Sequence, residues 1–380
     1  MSKSNSIWID ICQSQDGLLL QEYHFPYQDL TGPKEPEMIM FIGGKGKTAA
    51  MRKWGLLPVE TCEHGKIHLR SVTRYTSNSC PLLIADCELH NNPCLDEALE
   101  GPIPPYMKQR PLVWSKCSGT DPYAVSNLVY SKLLYNFSTT ICLFANDLGG
   151  TLMTAKILAS WLQSQNNRPL DIPHPQIVIL KEPDGLNLSQ RGSNVSFIGE
   201  LSQAVRLLSK HSGPMTRAHL EAQLTQRFGD VEVLTMPSHS RSPTWKSIRS
   251  RIISSSMAIQ RRRRENHMAF SADHLRAFFH LACDHFARDI VSPFSFIKAS
   301  RGPNPIPPTL SSHLTYFMKK VNASEILDFA VPVIASALTL DNYPPGMHCK
   351  FREWRLTRIC LIIARFSAHL SLLAALRRSL

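Results

Sequence analysis

Five short apolar runs, each followed by a stretch of helical spacing, limit what this chain can fold into. They are MIMFIG (38–43), PLLIAD (81–86), TICLFAN (140–146), QIVIL (176–180) and VEVLTM (231–236). A strand with one wet face alternates apolar and polar residues, whereas a run that is apolar throughout suits a strand covered on both faces. Between the runs, Val125, Leu128, Val129, Lys132 and Leu133 follow helical spacing. Ile157, Leu158, Trp161 and Leu162 repeat it, then Leu201, Val205 and Leu208, and residues 216–227 are expected to form the last crossover. Strands alternating with helices of this length predict βαβ units joined by right-handed crossovers. The expected fold class is α/β, with three layers and a mostly parallel sheet.

The domain plan follows from where this pattern starts and stops. Residues 1–36 mix short apolar pieces with Gly and Pro and read as an N-terminal arm or lead-in strand. The α/β pattern occupies 37–238. After it, residues 239–267 are polar and basic and read as a linker or exposed arm running into a helix, carrying Arg261-Arg262-Arg263-Arg264. Residues 268–380 read as a mostly α-helical segment. Within it Ser271 can cap a helix over 271–290, with Asp273 in its first turn and Leu275, Phe278, Phe279, Ala282, Phe286 and Ile290 along one side. Charge divides the same way. Residues 241–380 carry 21 Lys+Arg against 8 Asp+Glu, while residues 1–240 carry 21 against 22. The net charge of +12 therefore belongs wholly to the C-terminal segment and is not a property of the α/β domain.

The ten cysteines form no CxxC pair. Cys80, Cys87 and Cys94 recur every seven residues with His90 among them. Cys87 falls at a strand end, so buried thiols in a reducing compartment are expected rather than a zinc site. The opening MSKSNSIWIDICQSQDG has no apolar run of signal-peptide length, which predicts a cytoplasmic protein.

The stretch MIMFIGGKGKTAAMRKW carries the strongest chemical signal. A strand runs into Gly43, Gly44, Lys45, Gly46, Lys47 and Thr48 and then into a helix-forming sequence. In a phosphate loop, main-chain N–H groups at a helix start hold the phosphates, a lysine bridges the terminal ones and a hydroxyl ligates magnesium. The full motif places four residues between its first glycine and the Gly-Lys pair. Here Gly43 and Gly46 have two between them, and Phe41 stands where the first glycine belongs. Asp86 ends an apolar strand 38 residues after Thr48, a position suited to holding Mg2+ through water. Thr61 stands where a switch threonine would report nucleotide state. The bland alternatives are a chance Gly-Lys-Thr and an ordinary exposed acid at a strand end. Two GTPase features are absent. Leu89 replaces the glycine that would approach the γ-phosphate, and Lys181-Glu182-Pro183-Asp184 is one residue too long for a guanine-reading motif.

Further segments carry a family likeness: Gly65-Lys66-Ile67-His68-Leu69, Ile84-Ala85-Asp86-Cys87-Glu88, Leu133-Leu134-Tyr135-Asn136-Phe137-Ser138, Phe294–Arg301 and Asp341–Met347. With the phosphate loop, they make the chain resemble the GTPase-like region near the N-terminus of large fungal proteins that often carry a patatin-like phospholipase domain. The resemblance covers most of 38–350 and implies a P-loop NTPase-like domain followed by an α-helical connector. It also implies GTP rather than ATP as the nucleotide, and a downstream domain as the natural partner. Lipase chemistry is not expected, because the sequence has no Gly-x-Ser-x-Gly elbow.

Two functions from different classes remain open at this level. In the first, the chain binds a nucleotide through Gly43, Gly44, Gly46, Lys47, Thr48, Thr61 and Asp86, with Thr48 and Asp86 on Mg2+. In the second it is a pseudo-NTPase serving as an interaction or regulatory module. An empty nest at the start of a helix would favour binding, and a loop filled by its own side chains would favour the pseudo-enzyme. Arg261–Arg264 reads as a solvated linker, with nuclear import or a nucleic-acid contact as the alternative. The apolar run Ile359–Leu376 contains Arg365 and His369, so a packed amphipathic helix is expected in place of a membrane anchor. That run beside the basic surplus predicts a protein partner or a second copy of the chain, unless the helix folds back on the segment.

Overall fold

A computed structural model describes residues 7–24, 34–56, 66–72, 81–89, 96–97, 104–115, 121–164, 173–183, 190–208, 224, 227–228, 230–237, 243–266, 268–300 and 309–341. The described residues are α/β, as expected, and form two compact units, Met1–Phe294 and Ser295–Leu380.

The first unit is built on one ten-stranded mixed sheet. Its strands are β1 (Ile7–Ser14), β2 (Gly17–Tyr23), β3 (Glu37–Ile42), β4 (Ile67–Val72), β5 (Leu82–Cys87), β6 (Asp96–Glu97), β7 (Met107–Pro111), β8 (Thr140–Phe144), β9 (Gln176–Lys181) and β10 (Val231–Thr235). The order across the sheet is β10-β9-β8-β3-β5-β4-β1-β2-β7, with β6 pairing β1. The five apolar runs are β3, β5, β8, β9 and β10, and they pair in parallel as one block. The remaining neighbours β4, β1, β2 and β7 continue the sheet in antiparallel pairs. The expected N-terminal arm over 1–36 is therefore replaced by a hairpin, β1–β2, built into the sheet. Ile7, Trp8, Ile9 and Leu20 are buried there.

Successive residues of a strand face opposite sides, so a continuously apolar strand needs two cores. Ile39, Phe41, Ile84, Cys142, Phe144, Val178 and Leu180 line one core, together with α1 (Lys45–Lys53) and α5 (Thr244–Glu265). The alternate residues Met38, Met40, Leu83, Ile141, Leu143, Ile177 and Ile179 are equally buried. The other helices of this unit are α2 (Pro122–Leu128), α3 (Thr151–Ser164), α4 (Gln190–Leu208) and α6 (Ala272–Arg288). Asp121 caps α2, with its carboxylate accepting from Tyr123 N and Pro122 in the first turn. A π turn, Val129–Leu133, and a 3-10 turn, Leu134–Asn136, continue α2. Ser271 caps α6 as its sequence predicts, accepting from His274 N.

The basic linker expected over 239–267 contains α5, a helix of 22 residues packed on the sheet. Its buried positions are Ile248, Ile252, Ser256, Ile259, Gln260 and Arg263. The spacing is helical, but half of the stripe is polar, and this hides the amphipathic pattern. Each of two polar members finds a partner inside. Ser256 Oγ donates to Glu37 Oε2 at 2.7 Å and lies 2.6 Å from Thr139 Oγ1. Arg263 is 8% exposed and donates to the carbonyls of Phe137, Asn136 and Ser138, where the helical stretch after α2 ends. Burial lowers the pKa of its guanidinium to about 10, so it stays charged through the neutral range. Those carbonyls sit at the negative end of a helix and offset part of the desolvation. Of the four consecutive arginines, Arg263 is thus a tie between α5 and the strand entry at β8, and Arg261 and Arg262 are exposed.

The second unit is described over 295–300 and 309–341. It contains α7 (Phe296–Ser300), α8 (Leu310–Lys320), a π turn at Ile326–Ala330 and α9 (Val331–Asp341). The helical character expected of the C-terminal segment holds for these residues, while α6 belongs to the first unit. Among the described residues no helix is long and apolar enough to cross a membrane. Ile359–Leu376 and most of 216–227 lie outside the described residues.

Replacing Arg263 with Lys keeps the charge and removes the planar fork. The variant is expected to lose about 2 kcal/mol of stability, because one shorter ammonium cannot reproduce the two guanidinium nitrogens that hold these carbonyls. Urea unfolding against the parent measures the loss, and an unchanged midpoint would show that Arg263 does not tie the helix down.

Candidate functional site

The carboxyl ends of parallel strands in an α/β sheet are where such folds place their ligands. Here those ends gather the residues expected from sequence. β3 ends at Ile42, Gly43 and Gly44 make the turn, and α1 begins at Lys45. Gly43 N donates to Cys87 O at 3.2 Å, which fixes the loop beside the end of β5. Gly43, Gly44, Gly46, Lys47, Thr48 and Asp86 therefore meet in one place. Thr61 and Asp184 lie outside the described residues, as do Cys80, His90 and Cys94.

The side chains are turned differently from those of a working phosphate loop. Lys47 is 1% exposed. Its Nζ lies 2.7 Å from Asp86 Oδ1 and donates to Cys87 O at 2.7 Å. The lysine expected to bridge phosphates and the acid expected to hold magnesium thus pair with each other inside the protein. Thr48 Oγ1 donates to Gly44 O at 3.0 Å, so the hydroxyl hydrogen is turned back on its own helix. The donor set does not fit a magnesium nucleotide in this arrangement. Among the described residues no three His, Cys, Asp or Glu side chains come together as a metal site.

The nest itself is well formed, and it is full. Asp147, in the turn between β8 and α3, places its carboxylate at the start of α1. Oδ2 accepts from Gly44 N at 2.8 Å and from Lys47 N at 2.8 Å, and Oδ1 accepts from Gly46 N at 2.9 Å. A helix N-terminus attracts an anion through its unpaired N–H groups and its dipole, and here the anion comes from the chain. The glycines make room for it. A Cβ on Gly43 would lie 2.8 Å from Asp147 Oδ2 and 2.8 Å from Phe144 Cβ, and one on Gly46 would lie 3.0 Å from Oδ1.

The turn that carries Asp147 is tightly held. Gly150 N donates to Ala145 O at 2.7 Å, and Gly149 and Gly150 adopt φ of 91° and 96°. On the next strand, Glu182 N donates to Asn146 Oδ1 at 3.0 Å, and Asn146 Nδ2 donates to Glu182 Oε2 at 3.2 Å. Tyr130 Oη donates to Glu88 O across the mouth of β5. Burial pushes the Tyr130 hydroxyl well above its usual pKa and does the same to the Cys87 thiol, so neither is poised to ionise. Leu89, in the place of a glycine, is buried.

Asp147 escapes a reading of the sequence because nothing in Asn146-Asp147-Leu148-Gly149-Gly150 distinguishes it from an ordinary turn acid. Its role depends on β8 lying beside β3, and that adjacency brings together loops 100 residues apart.

No family model and no curated protein matches this chain. Among solved structures, it is similar to two proteins from Aspergillus nidulans, siderophore hydrolase EstA (TM-score 0.27, 9% identity, 68% of this chain and 95% of that one) and siderophore hydrolase EstB (TM-score 0.24, 9% identity, 68% and 96%). Likeness of this degree carries no argument about fold or function.

Lys47→Ala is expected to act on stability. It leaves Asp86 buried without its cation, which costs about 3–5 kcal/mol. Lys47→Met with Asp86→Leu removes both charges and is expected to recover most of that loss. Chemical denaturation of the three proteins tests the pair, and a Lys47→Ala protein as stable as the parent would refute it.

Proposed function

We propose that this chain is a pseudo-NTPase, a GTPase-like α/β module that serves regulation or protein interaction and neither binds nor turns over nucleotide. The observation that carries the reading is the buried Lys47–Asp86 pair, which commits the two side chains that phosphate and magnesium would each require. The loop shortened between Gly43 and Gly46, and Leu89 at the γ-phosphate position, point the same way. The P-loop reading draws support from adjacency in the sheet. The strand leading into the loop lies next to the strand that ends in Asp86, the neighbourhood a magnesium-holding aspartate needs.

The sequence resemblance to the N-terminal region of fungal patatin-like phospholipases gives the module a natural role, the control or docking of a further domain. Exposed apolar residues in the second unit fit contact with a partner protein. Tyr316, Leu327, Phe329 and Val333 are each more than 40% exposed, and no residue of α8 is buried. Nucleotide binding, GTP before ATP, is the competing function. It requires Lys47 to leave Asp86 and Asp147 to leave the nest.

Titration calorimetry with GTP and with ATP, each with magnesium, separates the two. The parent protein is expected to give no binding heat at millimolar nucleotide. Saturable heat that Thr48→Ala removes, a change that leaves the buried pair intact, would overturn the pseudo-enzyme and establish a nucleotide site.

A further inference from the structure

We infer that the apolar side of α8 and of the π turn after it is a docking face for a segment of this same chain, Ile359–Leu376, packed along it as a helix. The inference goes beyond the pseudo-NTPase reading and does not rest on it.

The face itself shows that something is missing from it. In α8, Leu310, Leu314 and Phe317 lie along one side, and Val321 continues the line just past the helix end. Intervals of four, three and four residues are those of a helix packed lengthwise on another helix. Yet no residue of α8 is buried. The ring of Phe317 lies 6.3 Å from that of Phe329, which joins this side to the π turn, where Leu327 and Phe329 are each 52% exposed. The apolar residues that the second unit does bury, among those described, are Phe296, Ala330, Val331 and Ala335. An isolated helix as short as α8 is marginal in water, so its apolar side needs a cover.

The sequence beyond α9 supplies a cover of matching form. Ile359, Ile363, Phe366, Leu370 and Leu373 repeat at intervals of four and three. As a helix they form one seam, and Arg358, Arg365 and His369 fall outside it on a polar side of their own. The period is that of α8, and both seams belong to the unit that runs from Ser295 to Leu380. Reach is no obstacle. α9 ends at Asp341, and residues 342–358 can extend over about 55 Å, against about 16 Å for the whole of α8. The tether also holds the segment at an effective concentration that a separate occupant would have to exceed. Charge selects the same occupant. Residues 342–380 carry 7 Lys+Arg against 1 Asp+Glu, so two copies of the segment repel each other. On the docking face, Glu325 and Asp328 stand exposed beside Leu327 and Phe329. A partner protein reaches this face by displacing the segment.

Hydrogen exchange of the full chain, read by mass spectrometry on peptides of α8, tests the docking, with sedimentation at the same protein concentrations. The parent is compared with the double variant Ile363→Glu/Leu370→Glu, which charges the seam, and with Arg365→Gln, which lies off it. Amides of α8 in the parent are expected to exchange at least about tenfold more slowly than in the double variant. Arg365→Gln is expected to match the parent, and β3 and β8 are expected to be unchanged in all three. The parent is expected to sediment as a monomer, with protection independent of concentration. Exchange of α8 as fast in the parent as in the double variant would overturn the docking, as would an equal effect of Arg365→Gln. Protection that grows with concentration, alongside a dimer, would assign the face to a second copy and overturn it too. Loss of protection in β3 and β8 together with α8 would do the same, since the segment would then serve the first unit.

Discussion

Three main-chain N–H groups at the start of α1 are satisfied by one carboxylate, and the strand order of the first unit brings it to them. Asp147 lies about a hundred residues from its donors. It reaches them because β8 and β3 are neighbours in parallel, with Ile39 opposite Thr140 and Ile42 opposite Leu143. Both strands end at the same height, so the loop after one meets the turn after the other. Phe144, the last residue of β8, packs with Phe41 and Trp54 at ring centroid distances of 6.4 Å. The aromatic core sets the strand ends, the strand ends set Asp147, and Asp147 sets α1. If that link is cut, a helix start is left with unmet donors close to a buried lysine.

The lysine makes the arrangement exacting. A buried ion pair is weak evidence for stability, since the cost of desolvating two charges can exceed their attraction. Its stronger effect is on specificity. Lys47 Nζ meets both Asp86 and the Cys87 carbonyl, two groups at the end of a single strand. A shift of α1 by one residue would strand a charge in the core. Together with Gly43 N on Cys87 O, these contacts tie the start of α1 to the end of β5, while Ala50 and Met51 pack in the apolar core. The same residues that would bind nucleotide in a working loop serve here to place a helix.

How much was legible in the sequence divides along this line. The parallel block could be read from runs of apolar residues because burial on both faces leaves a local record. The convergence of Gly43–Thr48 with Asp86 could be read because both sit at predicted strand ends. What stayed hidden is whatever depends on pairing between distant segments. β1 and β2 read only as an arm or a lead-in strand because a hairpin added through β4 to the antiparallel side of the sheet leaves little local trace. Helix α5 looked like a linker because Ser256, Gln260 and Arg263 occupy its buried stripe, and the partners of Ser256 and Arg263, Glu37 and the carbonyls of 136–138, lie elsewhere in the chain. The +13 balance after residue 240 is likewise a poor guide to surface charge there, since one of the four consecutive arginines is inside.

Arg263 and Lys47 show how the fold manages buried cations at opposite ends of one strand. β3 starts at Glu37, bonded to Ser256 of α5, and ends at the loop whose lysine holds Asp86. At the starting end, Arg263 gathers the carbonyls that precede β8. At the finishing end, Asp147 supplies the anion that α1 requires. Helices α1 and α5 meet over the sheet between these ends, through Trp54, Trp245 and Arg249. The loop that Asp147 caps is therefore held from two directions, by the carboxyl ends of β3, β5, β8 and β9 on the sheet and by α5 at the far end of α1.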